Sequence, residues 1–286
     1  MSLRLLLLTP APDEPRFAAI AHRWANRLAS ALATQDMVVE TRPWTASDDL
    51  SGFDGVSPLL SWSYHQHLGA WYARLEGLGA SGLPMVNAAE TVRWNTRKTY
   101  LAELEAAGVP IVPTLFTDVL TPDVIAEAHH RFGPSLVAKP QVSGGSFATV
   151  RLEPGQALRD GPPGPAMVQP FLKAIAGEGE LSLLYFGGVF SHAIGKRAQA
   201  GDFRVQYQFG GTYAPIDPPA DAFAVAEAAL AAAGRSLTYA RIDLIRADDG
   251  SLRLMELEAI EPDLYLEHAP DGGEAFAKAM RRALEE

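Results

Sequence analysis

The densest chemistry in the chain lies in Tyr239-Ala-Arg241-Ile-Asp243-Leu-Ile-Arg-Ala-Asp-Asp249-Gly250-Ser-Leu-Arg-Leu-Met-Glu256-Leu-Glu258. Two apolar alternating runs flank Asp249-Gly250, a strong signal for a two-residue hairpin turn. Placing Asp248 opposite Ser251 sets Asp243 opposite Glu256 and Arg241 opposite Glu258, with all four side chains on one face. Opposed carboxylates destabilise a hairpin by a few tenths to about 1 kcal/mol unless positive charge sits between them. A divalent cation would supply that charge; the alternative is a solvated face on which Arg241 is the counter-charge. Oxygen ligands on a stiff ribbon suit Mg²⁺, with Mn²⁺ as the second choice, because Mg²⁺ keeps several waters and binds through one or two carboxylates plus substrate phosphates.

The chain has five lysines, Lys98, Lys139, Lys173, Lys196 and Lys278. Lys139 closes the apolar run Leu136-Val-Ala-Lys139-Pro140, an unusual place for a lysine with only water to meet. Four residues later, Ser143-Gly144-Gly145-Ser146 is a flexible stretch whose free N–H groups could fold over phosphates; an ordinary hairpin turn is its other meaning. Neither G-x-G-x-x-G nor G-x-x-x-x-G-K-[ST] occurs, so any phosphate site is built without a dinucleotide fingerprint or a Walker A loop. No Ser/His/Asp pattern and no cysteine offers a nucleophile, which leaves covalent catalysis by the protein without a candidate.

The elements that must position these groups belong to a folded globular protein. At 286 residues the chain is long enough for one large or two medium domains. Its 48% hydrophobic and 20% charged residues lie far from disordered or membrane compositions. With 24 basic and 34 acidic residues the net charge is −10, which disfavours nucleic acid as a partner. The absence of cysteine removes disulfides, thiolate catalysis and Cys-ligated metals and fits a cytoplasmic protein, so any metal must use O or N ligands. Leu5–Leu8 is too short for a signal-peptide core or a membrane span and reads as the first buried strand.

The periodicity predicts an N-terminal α/β layer: a strand at 3–8, a helix at 16–32, strands at 37–44 and 53–60, a helix around 65–78 and a short apolar piece at 83–86. From residue 88 the rhythm becomes α+β. Helices are expected at 96–107 and 123–131, and strands at 111–116, 136–139, 147–152, 167–169, 181–186 and 189–194. Gly155–Pro165 and Asp202–Pro219 read as loops, and 220–234 and 275–284 as helices. The fold class is therefore α/β plus α+β, with a boundary near residue 87.

Over roughly residues 88–286 these pieces together resemble the ATP-grasp superfamily of carboxylate–amine (or thiol) ligases, in its glutathione-synthetase-like branch. The resemblance is carried by Lys98 in NTRKTYLAELEAAGVPIVPT, Lys139 in LVAKPQVSGGS, the hinge-like MVQPFL, the strand pair GELSLLYFGG, and Asp243 followed by Glu256-Leu-Glu258. It implies a parallel N-terminal pre-ATP-grasp domain (1–87) before two α+β lobes (88–286, the small lobe at about 109–172). It implies that Lys98 and Lys139 hold ATP phosphates and that Ser143, Gly144, Gly145 and Ser146 form a mobile lid. Gln169, Phe171 and Leu172 would line the adenine pocket, Glu180 would hold the ribose hydroxyls, and Asp243 and Glu256 would bind Mg²⁺. Glu258 stands where the family usually has Asn, and is a candidate third ligand. Lys196-Arg197 to Gly211 looks like the substrate loop of that branch; Arg204 and Arg241 suit an acyl phosphate or a substrate carboxylate, which a guanidinium grips bidentately.

The reaction so implied is ATP-dependent amide formation from a small-molecule carboxylate and an amine through an acyl phosphate. The tail ELEAIEP also resembles a cyclo-ligase branch of cycloserine biosynthesis, which makes intramolecular ring closure the alternative. A non-catalytic ATP-binding regulator is the third reading, and a homo-oligomer is compatible with each. His65 and His67 lack a third ligand and read as surface or inter-domain residues; Trp24, Trp71 and Tyr72 read as core. Glu261, Glu267 and His268 follow the carboxylate ribbon and divide evenly between substrate and solvent.

Overall fold

The computed structural model describes residues 2–13, 15–46, 49–156, 161–199 and 201–286. It opens with β1 (Leu3–Thr9), α1 (Pro15–Ala33), β2 (Met37–Pro43), β3 (Gly55–Ser57) and α2 (Leu68–Ala80), the strands forming a parallel sheet in the order β2-β1-β3. Leu5 and Leu7 pack with Leu28 and Leu32 of α1, while Leu6 and Leu8 pack with Trp71 and Leu75 of α2. Cover on both faces is why the run is continuously apolar instead of alternating. The strand expected over 53–60 pairs only at Gly55–Ser57, because Pro58 has no N–H to continue the ladder. The apolar piece at 83–86 contributes one bridge, Met85 to Val56.

The single helix expected over 96–107 is two, α3 (Ala89–Thr96) and α4 (Tyr100–Ala106), separated by Arg97 in extended conformation at φ −109° and ψ 121°. No glycine or proline marks this break. It frees the Lys98 backbone N–H to donate to Gln141 O at 2.8 Å. There follow β4 (Leu115–Thr117), α5 (Pro122–Phe132), β5 (Leu136–Pro140), β6 (Val150–Leu152) and β7 (Ala166–Pro170), an antiparallel sheet in the order β4-β7-β5-β6 with α5 packed behind it. Two expected strands are shorter than read: Ile111 makes only a bridge to Leu254, and Phe147 lies outside β6. Within the Gly155–Pro165 loop, 157–160 lie outside the described residues.

The rest comprises β8 (Glu180–Phe186), β9 (Val189–Arg197), β10 (Thr212–Pro215), α6 (Ala220–Ala233), β11 (Tyr239–Arg246), β12 (Leu252–Glu258) and α7 (Glu274–Glu285). The stretch 202–219, expected as loop throughout, carries β10, which pairs with β9 at the edge of an antiparallel sheet ordered β10-β9-β8-β11-β12. One face of this sheet, with Leu183, Ile242 and Leu244, packs on α4 and α6. The opposite face is graded. Leu184, Phe186, Ile194 and Tyr239 bury themselves against α7 and the parallel unit, whereas Glu180, Ser182, Lys196, Arg241 and Asp243 continue the same face into a cleft.

Each long hairpin reaches that cleft through a β-bulge. The β11–β12 turn holds three residues with Gly250 at φ 83°, not the two expected, and Ala247 pairs with Ser251. Register near the turn is accordingly one residue short, until Met255 enters as an extra residue and restores it. The two departures cancel, so Asp243 does face Glu256 and Arg241 does face Glu258. In β8–β9 the Gly187-Gly188 turn (φ 58° and 78°) sets the first pairs, and the extra residue Ser191 then places Lys196 opposite Glu180.

Candidate active site

A cavity of about 750 Å³ lies between the graded face and the β4–β7 sheet. Its floor is a row of side chains across four strands. Lys196 Nζ lies 2.9 Å from Glu180 and 3.2 Å from Asp243. The Ser182 hydroxyl donates to Asp243, and the Arg241 guanidinium grips Asp243 at 3.0 Å and also bonds Glu258. The bulge at Met255 aims two consecutive residues of β12 into the cavity, Met255 toward an apolar corner and Glu256 toward the charges. Lys98, freed by the α3–α4 break, bonds Glu256 and the Ser143 carbonyl, each at 2.8 Å. Lys139 reaches in from β5 and makes no ion pair among the described residues.

The walls come from the other elements. Gln169 leaves β7 and donates to Thr114 Oγ1 at 2.9 Å, while Phe171 and Leu172 pack with Val112, Ile175, Ile245 and Met255. This is a flat apolar slot with backbone groups at its rim, suited to a heterocyclic base. Ser143, Gly144, Gly145 and Ser146 cross the mouth: Ser146 donates to Gln206 at 2.7 Å, Gln208 donates to Gly145 O at 3.2 Å, and Phe147 meets the His65 ring at 5.0 Å between centroids. Arg204 also lines the cavity, with its guanidinium on Asp202 at 2.7 Å and stacked over Phe209 at 3.6 Å.

Electrostatics separates these groups. Burial works against the Asp243 carboxylate, but Arg241 and Lys196 outweigh it and hold the group well below the ordinary carboxylate range. Burial is likewise outweighed at Lys196, where Asp243 and Glu180 hold the ammonium charged far above neutral pH. Burial lowers Lys139, helped by Lys98 beside it. Glu258 is pushed up, by burial first and then by Glu256 and Asp243. Glu261, lining the cavity beside the Tyr64 hydroxyl, is pushed up to about 7 by burial.

One oxygen each from Asp243, Glu256 and Glu258 lies within 4.8 Å of the others. Three hard oxygen donors at this spacing, with room in the cavity for waters and phosphate oxygens, fit Mg²⁺.

The residues to which the sequence gave a catalytic, nucleotide-binding or metal-binding role all line this one cavity. Sequence reasoning gave no individual role to Lys196, Ser182 or Tyr64. Lys196 carries a detectable signal, a lysine at the end of an apolar strand in a chain with few lysines; Ser182 and Tyr64 carry none, since their importance comes from which residues the fold sets beside them. Glu267 pairs with Arg27 at 2.8 Å, away from the floor.

A family model described as the N-terminal domain of the D-cycloserine synthetase DcsG matches residues 6–87. The cycloserine biosynthesis protein DcsG of Streptomyces lavendulae is 30% identical over 282 residues, covering 90% of this chain and 92% of that protein. The chain is an ATP-grasp ligase of the DcsG branch. The crystal structure of D-cycloserine synthetase DcsG superposes on this ATP-grasp ligase with a TM-score of 0.83 at 27% identity, over 98% of this chain and 99% of that one. D-Alanine–D-alanine ligase of Bacillus anthracis shares the fold, with a TM-score of 0.70 at 16% identity over 99% and 97% of the two chains. Among the described residues of this ligase, no helix is long and apolar enough to cross a membrane.

Proposed function

We propose that this ATP-dependent ligase activates the carboxylate of an amino-acid-like small molecule as an acyl phosphate and lets an amine capture it, forming an amide with release of ADP and phosphate. The observation that carries the reading is the convergence in one cavity of Lys98, Lys139, Lys196 and Arg241 with the carboxylates of Asp243, Glu256 and Glu258. No nucleophile stands among them, so the chemistry left to the protein is positioning and charge stabilisation.

In this reading Lys98 and Lys139 bind the phosphates of ATP, and Lys139, which makes no ion pair among the described residues, is free to meet charge that grows during phosphoryl transfer. Arg241 orients the carboxylate or its acyl phosphate, and Asp243 is kept ionised by Lys196 and Arg241. Asp243, Glu256 and Glu258 would hold Mg²⁺, or Mn²⁺ in its place, which when bound neutralises phosphate oxygens. Gln169, Phe171 and Leu172 take the base and Glu180 the ribose, while residues 143–146 exclude water from an intermediate that would otherwise hydrolyse. Residues 1–87 shape the substrate end and 88–286 form the ATP-grasp unit, working in the cytoplasm.

The likeness to D-cycloserine synthetase favours one form of the reaction, closure of a ring within one amino-acid analogue. The test is ADP release from Mg-ATP with amino-acid analogues offered singly and in pairs. ADP release with a single compound bearing both carboxylate and amine is the expected result. A strict need for a separate amine would replace ring closure by intermolecular ligation, and ATP binding with no ADP release in either format would overturn the ligase reading.

A further inference from the structure

The apolar slot suited to a heterocyclic base has one polar side chain built into its wall, and the orientation of that side chain follows from counting protons. Gln169 is 4% exposed and lines the cavity near the end of β7. Its amide meets the Thr114 hydroxyl, just ahead of β4, at 2.9 Å, and that hydroxyl lies 2.7 Å from the Val112 carbonyl. Val112 is itself pinned to the carboxylate strand, its N–H donating to Leu254 O at 2.9 Å, while its side chain packs in the slot with Phe171 and Leu172.

A threonine hydroxyl has one proton to donate and two lone pairs that accept. Among the described residues it is Thr114 that donates to the Val112 carbonyl, so the proton is directed there and the Thr114 oxygen faces Gln169 as an acceptor. The group opposite must then be the amide NH₂. Turning the amide over would set two acceptors against each other, or leave the Val112 carbonyl without its donor. With the nitrogen fixed, the Gln169 oxygen points the other way. It bonds to no group among the described residues and is not sealed from solvent, so it opens onto the cavity. An acceptor held at the wall of a base slot distinguishes bases by their exocyclic groups: a 6-amino purine presents N–H to it, and a 6-oxo purine presents a second acceptor.

We infer that Thr114 is a positioning residue for base selection: by holding the Gln169 amide with its oxygen toward the slot, it makes the nucleotide site accept a 6-amino purine and reject a 6-oxo purine. The inference rests on the ligase reading and deepens its nucleotide site, since it assigns the selectivity to a hydroxyl that lies outside the lining of the cavity.

The experiment is a pair of melting titrations of the full chain, with Mg-ADP and with the magnesium salt of inosine diphosphate, which carries an oxo group in place of the 6-amino group. The unaltered chain should bind ADP at least about tenfold more tightly, the scale of one hydrogen bond. Thr114→Val removes the hydroxyl and lets the amide turn, so it should lower that ratio about fivefold or more, whereas Thr114→Ser should keep it within about twofold. A merely structural Thr114 would weaken both nucleotides together, so a ratio unchanged in Thr114→Val would overturn the proposal. Equal binding of the two nucleotides by the unaltered chain would overturn it too, and that comparison needs no variant to fold. Gln169→Leu should also lower the ratio, and adding Thr114→Val to it should change the ratio by less than about twofold; a further fall would place the effect of Thr114 outside the amide and overturn the relay. Absence of a shift with either nucleotide would instead count against the ligase reading itself, so the two failures are distinguishable.

Discussion

Lys139 and Lys98 show how neighbours divide two residues of one type between roles. Lys98 is tied down by Glu256 and the Ser143 carbonyl, while Lys139 is half-buried, makes no ion pair among the described residues, and is lowered by its loss of solvent. A lysine so placed adds little to the resting protein and contributes when negative charge arrives. Lys139→Ala should therefore slow ADP release by on the order of 10²-fold or more, about 2.7 kcal/mol, with a much smaller loss of ATP affinity. Steady-state kinetics beside nucleotide titration checks this; equal loss in both would make Lys139 a binding residue only. Lys139→Arg should rescue poorly, because a flat guanidinium cannot stand in for a compact ammonium in a crowded pocket.

At the scale of elements, the carboxylate strand β12 is an edge, and its free backbone groups are covered by side chains. Val112 N–H donates to Leu254 O and Leu254 N–H to Pro110 O, each bond closing the first half of the edge. Farther along, the Tyr100 hydroxyl bridges Leu257 N–H and C=O, Asn95 takes Ala259 N–H and gives to Leu257 O, and Asn87 gives to Ala259 O. This holds Glu256 and Glu258 on a rigid strand while preventing another strand from pairing there. Asn95→Ala leaves the buried Ala259 N–H without a partner, while Leu257 O keeps the Tyr100 hydroxyl, and should cost about 1–3 kcal/mol, read from urea unfolding. A loss below about 0.5 kcal/mol would mean that water replaces the amide without penalty.

For the whole molecule, the charged floor belongs to one sheet, but its walls belong to the β4–β7 sheet, the 143–147 loop and the parallel unit. Ligand bound between them links parts that otherwise meet across a cleft. Mg-ATP at a hundredfold excess over its Kd should stabilise the fold by about 2.7 kcal/mol through mass action, seen as a raised Tm. NAD(P)H should give no shift, since no dinucleotide fingerprint is present. Stabilisation by the nicotinamide nucleotide and none by ATP would contradict the assignment of the apolar slot to adenine.

The order of strands and helices, the apolar run of β1 and the motif series from Lys98 to Glu258 are local or pairwise in sequence, and were legible there. The facing of Asp243 and Glu256 was legible only because an unforeseen three-residue turn and an unforeseen bulge at Met255 offset one another. A period-2 strand flips every side chain when it slips by one residue, so register beyond a turn depends on bulges that no residue type announces. Ser191 in β9 is the plain instance: counting from Gly187-Gly188 alone would set Gly195 opposite Glu180, and the bulge sets Lys196 there. The break at Arg97 that frees Lys98, and the meeting of Tyr64 with Glu261 across about two thirds of the chain, were likewise decided only by tertiary packing, because their partners lie far apart in sequence and no periodic pattern connects them.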